Sequence, residues 1–290
     1  MYMKKSVLFL FAFFLAVSAF AQQKTVMVST ARQFVNALES NTKIIVTNDI
    51  LDLTQALLYM VDDGVLPFDV DEDDEDGVVG PSATSEYDGP SLLVNNCSNI
   101  TIVGKKKGTH IQVTPRYANV LGFNNCSNIH ISNLKLGHTD AGDCVGDVLF
   151  FDGCEDVAVD DCKLYGCGVI GIEALNSSNL AVNNSDIYEC SMQMFEINNV
   201  SNMVFDGCKF YKNGGGINIS DTCSGIEMKN CDIHDNTGSL FFVGSPLKIS
   251  KSKIVHHWGA YSDNVTFEKC KLDIEQTEGE FPDYSDYDEE

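Results

Sequence analysis

Basic side chains are scarce in this chain of 290 residues. It has 19 Lys and Arg against 42 Asp and Glu, which gives a formal net charge of -23, and its arginines are Arg32 and Arg116 alone. Nucleic-acid binding depends on clustered Lys and Arg that displace counterions, so this composition excludes nucleic acid as a partner. The same charge opposes unaided binding of polyanions, because like charges repel before contact.

Long apolar runs are absent beyond the N-terminus, so we expect no membrane span in the mature chain. The one apolar run, Val7 to Val17, follows Lys4 and Lys5 and precedes the small-x-small sequence Ala19-Phe20-Ala21. This pattern is typical of a secretory signal peptide. The sequence predicts removal of residues 1–21 and export of a monomer to the periplasm, the cell surface or the medium.

A repeat of 23 residues, shorter in its last copies, dominates the chain from about residue 91. Its unit is apolar-x-apolar, two polar residues, a small residue, a polar residue and an apolar one. Complete copies occur at Val157–Leu164, Leu180–Ile187, Met203–Phe210 and Ile226–Ile233. One strand-turn-strand unit of this length cannot bury its apolar face alone, whereas stacked copies can. The repeat therefore predicts an all-β solenoid of parallel strands.

The same region contains a recurrent Ser-Asn-apolar-x-apolar sequence. It occurs at Ser98-Asn99-Ile100, Ser127-Asn128-Ile129, Ser178-Asn179-Leu180 and Ser201-Asn202-Met203. With these motifs, residues 91–273 resemble the right-handed parallel β-helix of the pectate-lyase-like (pectin lyase-like) superfamily. The resemblance implies that fold. It implies an activity only weakly, because one fold hosts many functions.

The catalytic signatures of that superfamily are mostly missing from this chain. The resemblance leads us to expect either a groove Arg or Lys near calcium-binding aspartates, a Trp-Ile-Asp-His sequence, or an Arg-x-Lys sequence. Here Trp258 is followed by Gly259, and Arg116 is the sole arginine of the repeat region. The fragments Asp160-Asp161 and Gly137-His138 stand in the wrong order for a polygalacturonase.

Three further segments lie before or beside the repeats. Residues 22–57 are expected to form an N-terminal cap and first coil, with an amphipathic cap helix that begins at the capping pattern of Thr30 and Gln33. The periodicity fails over 58–90, which predicts a solvated acidic insertion loop. Residues 274–290 are interpreted as an acidic C-terminal tail.

The eleven cysteines follow the repeat. One inward position is occupied by Cys162, Cys208, Cys231 and Cys270, with Ser185 and Ser252 as its other residues. A turn position is occupied by Cys97, Cys126 and Cys154, and another by Cys167 and Cys190. Small polarizable side chains stack well inside a narrow coil, which favours a buried, mostly reduced ladder over a disulfide framework.

Two columns of side chains are expected on one outer face of the solenoid. The first column alternates in charge and is interpreted as a ladder that fixes register: Lys163, Asp186, Lys209, Asp232 and Lys253. The second column lies two positions further along each strand: Tyr165, Tyr188, Tyr211 and His234. Aromatic faces pack against sugar rings, so this column is a candidate glycan-binding stripe, although stacked aromatics also simply stabilise a sheet.

Glu173 and Glu196 are 23 residues apart and should lie on neighbouring coils, both pointing outward. Neighbouring strands are about 4.8 Å apart, close to the separation of about 5 Å between the paired carboxyl groups of a retaining glycosidase. We therefore consider Glu173 and Glu196 candidate catalytic residues. A calcium site, or two acids that merely repel each other in water, would show the same spacing.

A glycine-rich break in the repeat spans residues 137–147. His138 is a candidate proton carrier there, and Asp140, Asp143 and Asp147 are candidate calcium ligands, calcium being the one cofactor that the sequence suggests. Gly and Asp are also ordinary loop residues, which leaves a purely structural role open.

These features favour an exported β-helix protein that interacts with a polysaccharide or a surface glycan. Two alternatives stay open, a divergent polysaccharide lyase or glycoside hydrolase, and a structural or adhesive solenoid without a small ligand. The negative charge favours neutral glycans, or acidic glycans bridged by calcium.

Overall fold

The computed structural model describes residues 23–68, 77–105, 108–139, 146–166, 169–257, 259 and 262–274. These residues form a right-handed parallel β-helix, which confirms the predicted fold. The signal peptide expected at 1–21 and the tail expected beyond Ile274 lie outside the described residues.

Three sheets run the length of the solenoid, and most coils contribute one strand to each of them. The first sheet contains β1 (Lys24–Val28), β2 (Thr42–Val46), β6 (Ser98–Gly104), β9 (Ser127–Ser132), β12 (Glu155–Asp160), β15 (Ser178–Asn183), β18 (Ser201–Asp206), β21 (Ser224–Lys229), β24 (Leu247–Ser250) and β26 (Val265–Glu268). The second sheet contains β3 (Ile50–Asp52), β7 (Thr109–Val113), β10 (Leu134–His138), β13 (Lys163–Tyr165), β16 (Asp186–Tyr188), β19 (Lys209–Tyr211), β22 (Asp232–His234), β25 (Lys253–His256) and β27 (Lys271–Ile274). The third sheet contains β4 (Gly80–Glu86), β5 (Gly89–Asn95), β8 (Leu121–Asn124), β11 (Leu149–Asp152), β14 (Ile170–Leu175), β17 (Gln193–Asn198), β20 (Ile217–Ile219) and β23 (Phe241–Val243).

Equivalent residues of successive repeats pair directly with one another. Val157 pairs with Leu180, Leu180 with Met203, and Met203 with Ile226, all in parallel register. Each of these side chains is buried, whereas the next residue along each strand is only partly buried and points outward. Because side chains alternate along a strand, this register puts one continuous apolar surface inside the coil.

The core is formed where the three sheets of one coil meet. Phe195 from the third sheet packs on Phe205 from the first sheet, with ring centroids 4.4 Å apart, and on Phe210 from the second sheet at 6.2 Å. All three rings are fully buried. Burial of such large apolar surfaces is the main stabilising contribution to each coil.

The Ser-Asn motif marks a turn between the third and first sheets. Its asparagines adopt left-handed backbone conformations, which Asn tolerates better than most residues: Asn99, Asn128, Asn179 and Asn202. Their amides also form a ladder along the outside of the solenoid. Asn202 Nδ2 donates to Asn179 Oδ1 over 3.2 Å, and Asn179 Nδ2 donates to Asp156 Oδ1 over 3.1 Å.

Inward asparagines satisfy backbone groups at the turn after the second sheet. The N–H of Cys190 donates to Asn213 Oδ1 over 3.1 Å, and the N–H of Asn213 donates to Asn236 Oδ1 over 2.9 Å. Asn213 Nδ2 in turn donates to the carbonyl oxygen of Ile187 over 3.1 Å. A buried backbone group without a partner is strongly destabilising, so these amides hold consecutive coils together.

The small-residue ladder lies at the turn between the first and second sheets. The N–H of Cys162 donates to Ser185 Oγ, and Cys208 Sγ donates to the carbonyl oxygen of Val182. Ser185 Oγ and Cys208 Sγ also each donate to the carbonyl oxygen two residues earlier, so serine and cysteine can replace each other at this position. The cysteines that the structure describes are free thiols: Cys97, Cys126, Cys154, Cys162, Cys190, Cys208, Cys223, Cys231 and Cys270.

A short helix, α1 (Ala31–Asn36), joins β1 to β2 at the N-terminal end. Thr30 Oγ1 accepts a hydrogen bond from the N–H of Gln33, as the capping pattern predicts. Gln33 Oε1 accepts from the N–H of Ser29 and not from that of Thr30, so the reciprocal bond is displaced by one residue. Phe34 and Val35 are buried in the core.

Two elements correct the expectation of a continuous insertion loop over 58–90. Helix α2 (Thr54–Asp62) buries Leu57 and Met60, and β4 forms an antiparallel hairpin with β5 at the edge of the third sheet. An antiparallel hairpin does not repeat with the period of the coil, so a search for that period misses it. The run of acids at 71–76 lies outside the described residues, and no helix within the described part of the chain could cross a membrane.

We predict that Asn213→Leu destabilises the protein by about 2–4 kcal/mol, because it leaves buried backbone groups without partners. The exposed Asn198, which accepts hydrogen bonds from exposed hydroxyl groups, provides a matched control. Asn198→Ala should change the free energy of unfolding by less than about 1 kcal/mol. Denaturant unfolding measures the change in the free energy of unfolding for each variant. Equal changes for Asn213→Leu and Asn198→Ala would contradict a role of Asn213 in joining the coils.

Candidate functional site

The alternating charges lie in register on the outer face of the second sheet. Asp186 pairs with Lys163 on one side and with Lys209 on the other, and Asp232 pairs with Lys209 and Lys253. Lys163 Nζ is 3.7 Å from Asp186 Oδ2. Opposite charges on neighbouring strands stabilise the register, which supports a structural interpretation of this column.

The aromatic column forms a face-to-face stack. The ring centroids of Tyr188 and Tyr211 are 4.9 Å apart with an angle of 5° between the planes, and those of Tyr211 and His234 are 5.5 Å apart at 4°. Tyr165 stacks on the other side of Tyr188 at 5.7 Å. The faces of the inner rings are therefore covered by neighbouring rings, and a sugar ring cannot pack on them. Burial beside the neighbouring tyrosine raises the pKa of Tyr188 to about 12.

The stack continues at its N-terminal end through polar contacts. The Tyr165 hydroxyl forms a hydrogen bond of 2.7 Å with His110 Nε2, and Lys135 Nζ lies 3.9 Å from the centre of the Tyr165 ring. Burial, together with the charge of Lys135, lowers the pKa of His110 to about 4, which favours the neutral imidazole near neutral pH. Gly137 lies directly under the Tyr165 ring, where a Cβ atom would clash with it. These contacts indicate a stabilising stack.

His138 is placed differently from the sequence expectation. It ends β10, its side chain points inward and is 2% exposed, and its Nε2 lies 2.8 Å from the carbonyl oxygen of Ala118. Burial lowers the pKa of His138, which favours the neutral ring. A proton carrier must reach its substrate, so this position corrects the expectation that His138 lies in an accessible loop.

The proposed calcium ligands are only partly visible. Asp140 and Asp143 lie outside the described residues, whereas Asp147 is described and is 4% exposed. Among the residues with described positions, no group of three or more His, Cys, Asp or Glu side chains is arranged to hold a metal ion.

The third sheet presents a different column on its outer face. Glu173 of β14 pairs with Glu196 of β17, so the two glutamates lie on neighbouring strands. Phe150 precedes Glu173, whereas Asn218 and Phe242 follow Glu196. We call these five residues the acidic column: Phe150, Glu173, Glu196, Asn218 and Phe242. Its two aromatic rings are separated by four strand spacings, about 19 Å in all, and so do not cover each other.

Asp147 joins this column from the chain just before β11. Its carboxyl group forms a hydrogen bond with Glu173 and is close enough to Glu196 to feel its charge. Burial and these two neighbours raise the pKa of Asp147 well above its usual range. Burial therefore favours the protonated form of Asp147, which has a proton for the hydrogen bond to Glu173. Burial also raises the pKa of Glu173, and Glu196 adds to that effect.

A cleft of about 600 Å³ lies beside the acidic column. The β4–β5 hairpin forms one wall, and Phe150 belongs to both the cleft and the column. Most of its polar lining is amide: Asn95, Asn96, Asn124, Asn125 and Asn176, together with Asp152. Amides donate and accept hydrogen bonds without charge, and an aromatic ring beside them is a common arrangement for binding sugar hydroxyls and ring faces.

Sequence reasoning found Glu173 and Glu196 but missed the rest of the acidic column. The period of the repeat could have identified two more of its members, because Phe150 precedes Glu173 by 23 residues and Asn218 follows Glu196 by 22. Asp147 carried no such signal, since its contact with Glu173 depends on how the chain enters β11.

The fold and this surface define a parallel β-helix protein with an acidic column and an amide-lined cleft on one face. Residues 119–274 match the family described as right handed beta helix region, and this match covers more than half of the chain. The chain belongs to that family. A search of curated protein sequences gives no match.

Two solved structures share this architecture. Alginate lyase from Paenibacillus sp. str. FPU-7 superposes with a TM-score of 0.54 at 12% identity, covering 87% of this chain and 98% of the lyase. Pectate lyase Bsp165PelA from Bacillus sp. N165, solved with trigalacturonate, gives 0.51 at 11% identity and covers 87% and 82%. At these identities the likeness establishes the fold alone.

We predict that Asp147→Asn raises the melting temperature at neutral pH and has less effect at acid pH. The carboxyl group of Asp147 has a higher pKa in the folded state than in the unfolded state, so its ionisation destabilises the fold as pH rises above about 4. Asparagine keeps a donor for Glu173 and cannot ionise. Thermal unfolding across this range tests the prediction, and a shift independent of pH would contradict it.

Proposed function

We propose that this protein is a glycan-binding β-helix and that the acidic column with its neighbouring cleft is the binding site. The observation that carries the proposal is the combination of Phe150 with an amide-lined cleft of about 600 Å³. Phe150 and Phe242 offer aromatic surface at opposite ends of the column, and Phe242 is 43% exposed. A chain of sugar units lying along the column would contact both rings.

The net charge of the protein restricts the class of glycan that can bind. With a net charge of -23 and two glutamates in the column, an acidic polysaccharide would be repelled unless cations intervened. Neutral glycans fit the amide-rich lining better. Two structural neighbours are lyases named for alginate and pectate, which supports a glycan ligand in general but no particular one.

We further propose export of the mature chain from Gln22, which would bring the site to glycans in the periplasm, at the cell surface or outside the cell. The pattern of Lys4, Lys5 and the following apolar run supports this location.

Hydrolysis of the bound glycan is a second candidate function, favoured by the interaction of the three carboxyl groups. Asp147 has a raised pKa and forms a hydrogen bond with Glu173, and Glu196 lies one strand away. Raised carboxyl pKa values of this kind cluster at functional sites, because a general acid must keep its proton near neutral pH. A strand spacing of about 4.8 Å between the glutamates is compatible with a retaining mechanism.

We predict that Phe150→Ala weakens glycan binding by about tenfold or more, because the ring stands between the cleft and the acidic column. A glycan array with the mature protein, with and without calcium, identifies the ligand, and titration of the best hit measures the effect. Tyr188→Ala tests the alternative site on the aromatic stack. It should lower stability by about 1–2 kcal/mol and leave affinity unchanged.

The opposite result, in which Tyr188→Ala abolishes binding and Phe150→Ala does not, would move the site to the second sheet. A blank array with folded protein, in both conditions, would leave the solenoid as a scaffold or adhesin and overturn glycan binding.

Turnover gives a separate prediction. If the protein is a hydrolase, Glu173→Gln should reduce the rate of product formation at saturating glycan by at least about 100-fold. Product analysis on the best glycan hit measures this, with Glu155→Gln on the first sheet as a control variant. Binding by the wild-type protein without any product would exclude the hydrolase and leave the binding function.

A further inference from the structure

The two glutamates of the acidic column have no cationic partner within the described part of the chain. Ion pairs there engage other carboxylates, such as Lys212 with Glu189 and Lys248 with Glu268. The column neighbours of Glu173 and Glu196 are uncharged. Like charges directly opposite on neighbouring strands are destabilising, and no cationic side chain in the described structure compensates for this pair.

Asp147 adds a second, independent sign that a group is missing from the site. Its side chain is almost fully buried, and its Oδ1 atom has no hydrogen-bond partner among the described residues. The other side of the same carboxyl group contacts Glu173. A buried acceptor without a donor is destabilising, and here it lies beside two more acceptors.

The charged column of the second sheet places lysines beside its aspartates. There, Asp186 lies between Lys163 and Lys209, so each carboxylate has a lysine on either side. On the third sheet, Glu173 and Glu196 have no lysine beside them in the column. Such an arrangement fits a site whose cation comes from the ligand.

A primary ammonium group suits these acceptors better than a metal ion. The described side chains form no group of three or more that is arranged to hold a metal. An ammonium group has three donors and no acceptor, which matches a surface of carboxylate oxygens. Hydrogen bonds to charged partners are also the strong ones. Phe150, next in the column, can hold the sugar ring beside that ammonium group.

We propose that the glycan bound at the acidic column is an amino sugar with a free ammonium group, which lies between Glu173 and Glu196. This inference rests on the proposed function and specifies its ligand class. It excludes N-acetylated sugars as the preferred ligand, because acetylation removes the charge and two of the donors.

The test compares a glucosamine tetrasaccharide with its fully N-acetylated counterpart, titrated into the mature protein at mildly acidic pH and physiological salt. We expect the free amine to bind at least about tenfold more tightly. Glu196→Gln should remove most of that preference, by weakening binding of the free amine more than binding of the acetylated sugar. Added salt should weaken binding of the amine more than binding of its counterpart.

Because the whole protein is acidic, Glu227→Gln on the outer face of the first sheet is the matched control and should keep the preference. Equal affinity of wild-type protein for both sugars would overturn the amino-sugar proposal and leave glycan binding intact. Loss of the preference in both variants would show a general charge effect, which also overturns it. Binding of neither sugar by folded protein, with no hit on the array, would overturn the proposed function itself. Calcium binding that Glu196→Gln abolishes would assign the pair to a metal instead.

Discussion

Hydrogen bonding between consecutive coils is the constraint on which the rest of this structure depends. Each parallel strand pairs with its equivalent in the next repeat. Each strand residue therefore lies about 4.8 Å from the strand that carries its equivalent in the next repeat. A side chain must therefore be compatible with a column of its equivalents. Asn213 meets this condition inside the coil by bonding the backbone of the coil before it, and Asn202 meets it outside by bonding Asn179.

Because of this constraint, each outer column stabilises or destabilises the fold according to the side chains that it brings together. On the second sheet, lysine and aspartate side chains on neighbouring strands attract each other, and the rings of Tyr188 and Tyr211 stack. On the third sheet, the proximity of Glu173 and Glu196 is repulsive, and Asp147 adds a buried carboxyl group to them. Stabilising columns need no ligand to explain them. A destabilising column beside a cleft indicates a site that a ligand completes, which is why the functional proposals concern this face.

Sequence reasoning succeeded where the property depends on the period and failed where it depends on the path of the chain. The spacing of 23 residues placed Glu173 beside Glu196, and it would also have placed Phe150 in the same column. The spacing could not show that neighbouring rings cover both faces of the Tyr188 ring, because it predicts which residues are adjacent but not how their rings are oriented. The β4–β5 hairpin, which forms a wall of the cleft, is antiparallel and leaves no trace in the period.

The sequence by itself determined the parallel β-helix, because a repeat that cannot bury its apolar face alone has to stack on its copies. It also determined which residues share a column, since the period sets the register. Tertiary structure alone decided that His138 turns into the core and that Asp147 reaches Glu173. His138 is the last residue of β10, and Asp147 lies just before the first residue of β11. There the direction of a side chain follows from how the chain leaves one strand and enters the next, and no periodic pattern encodes that path.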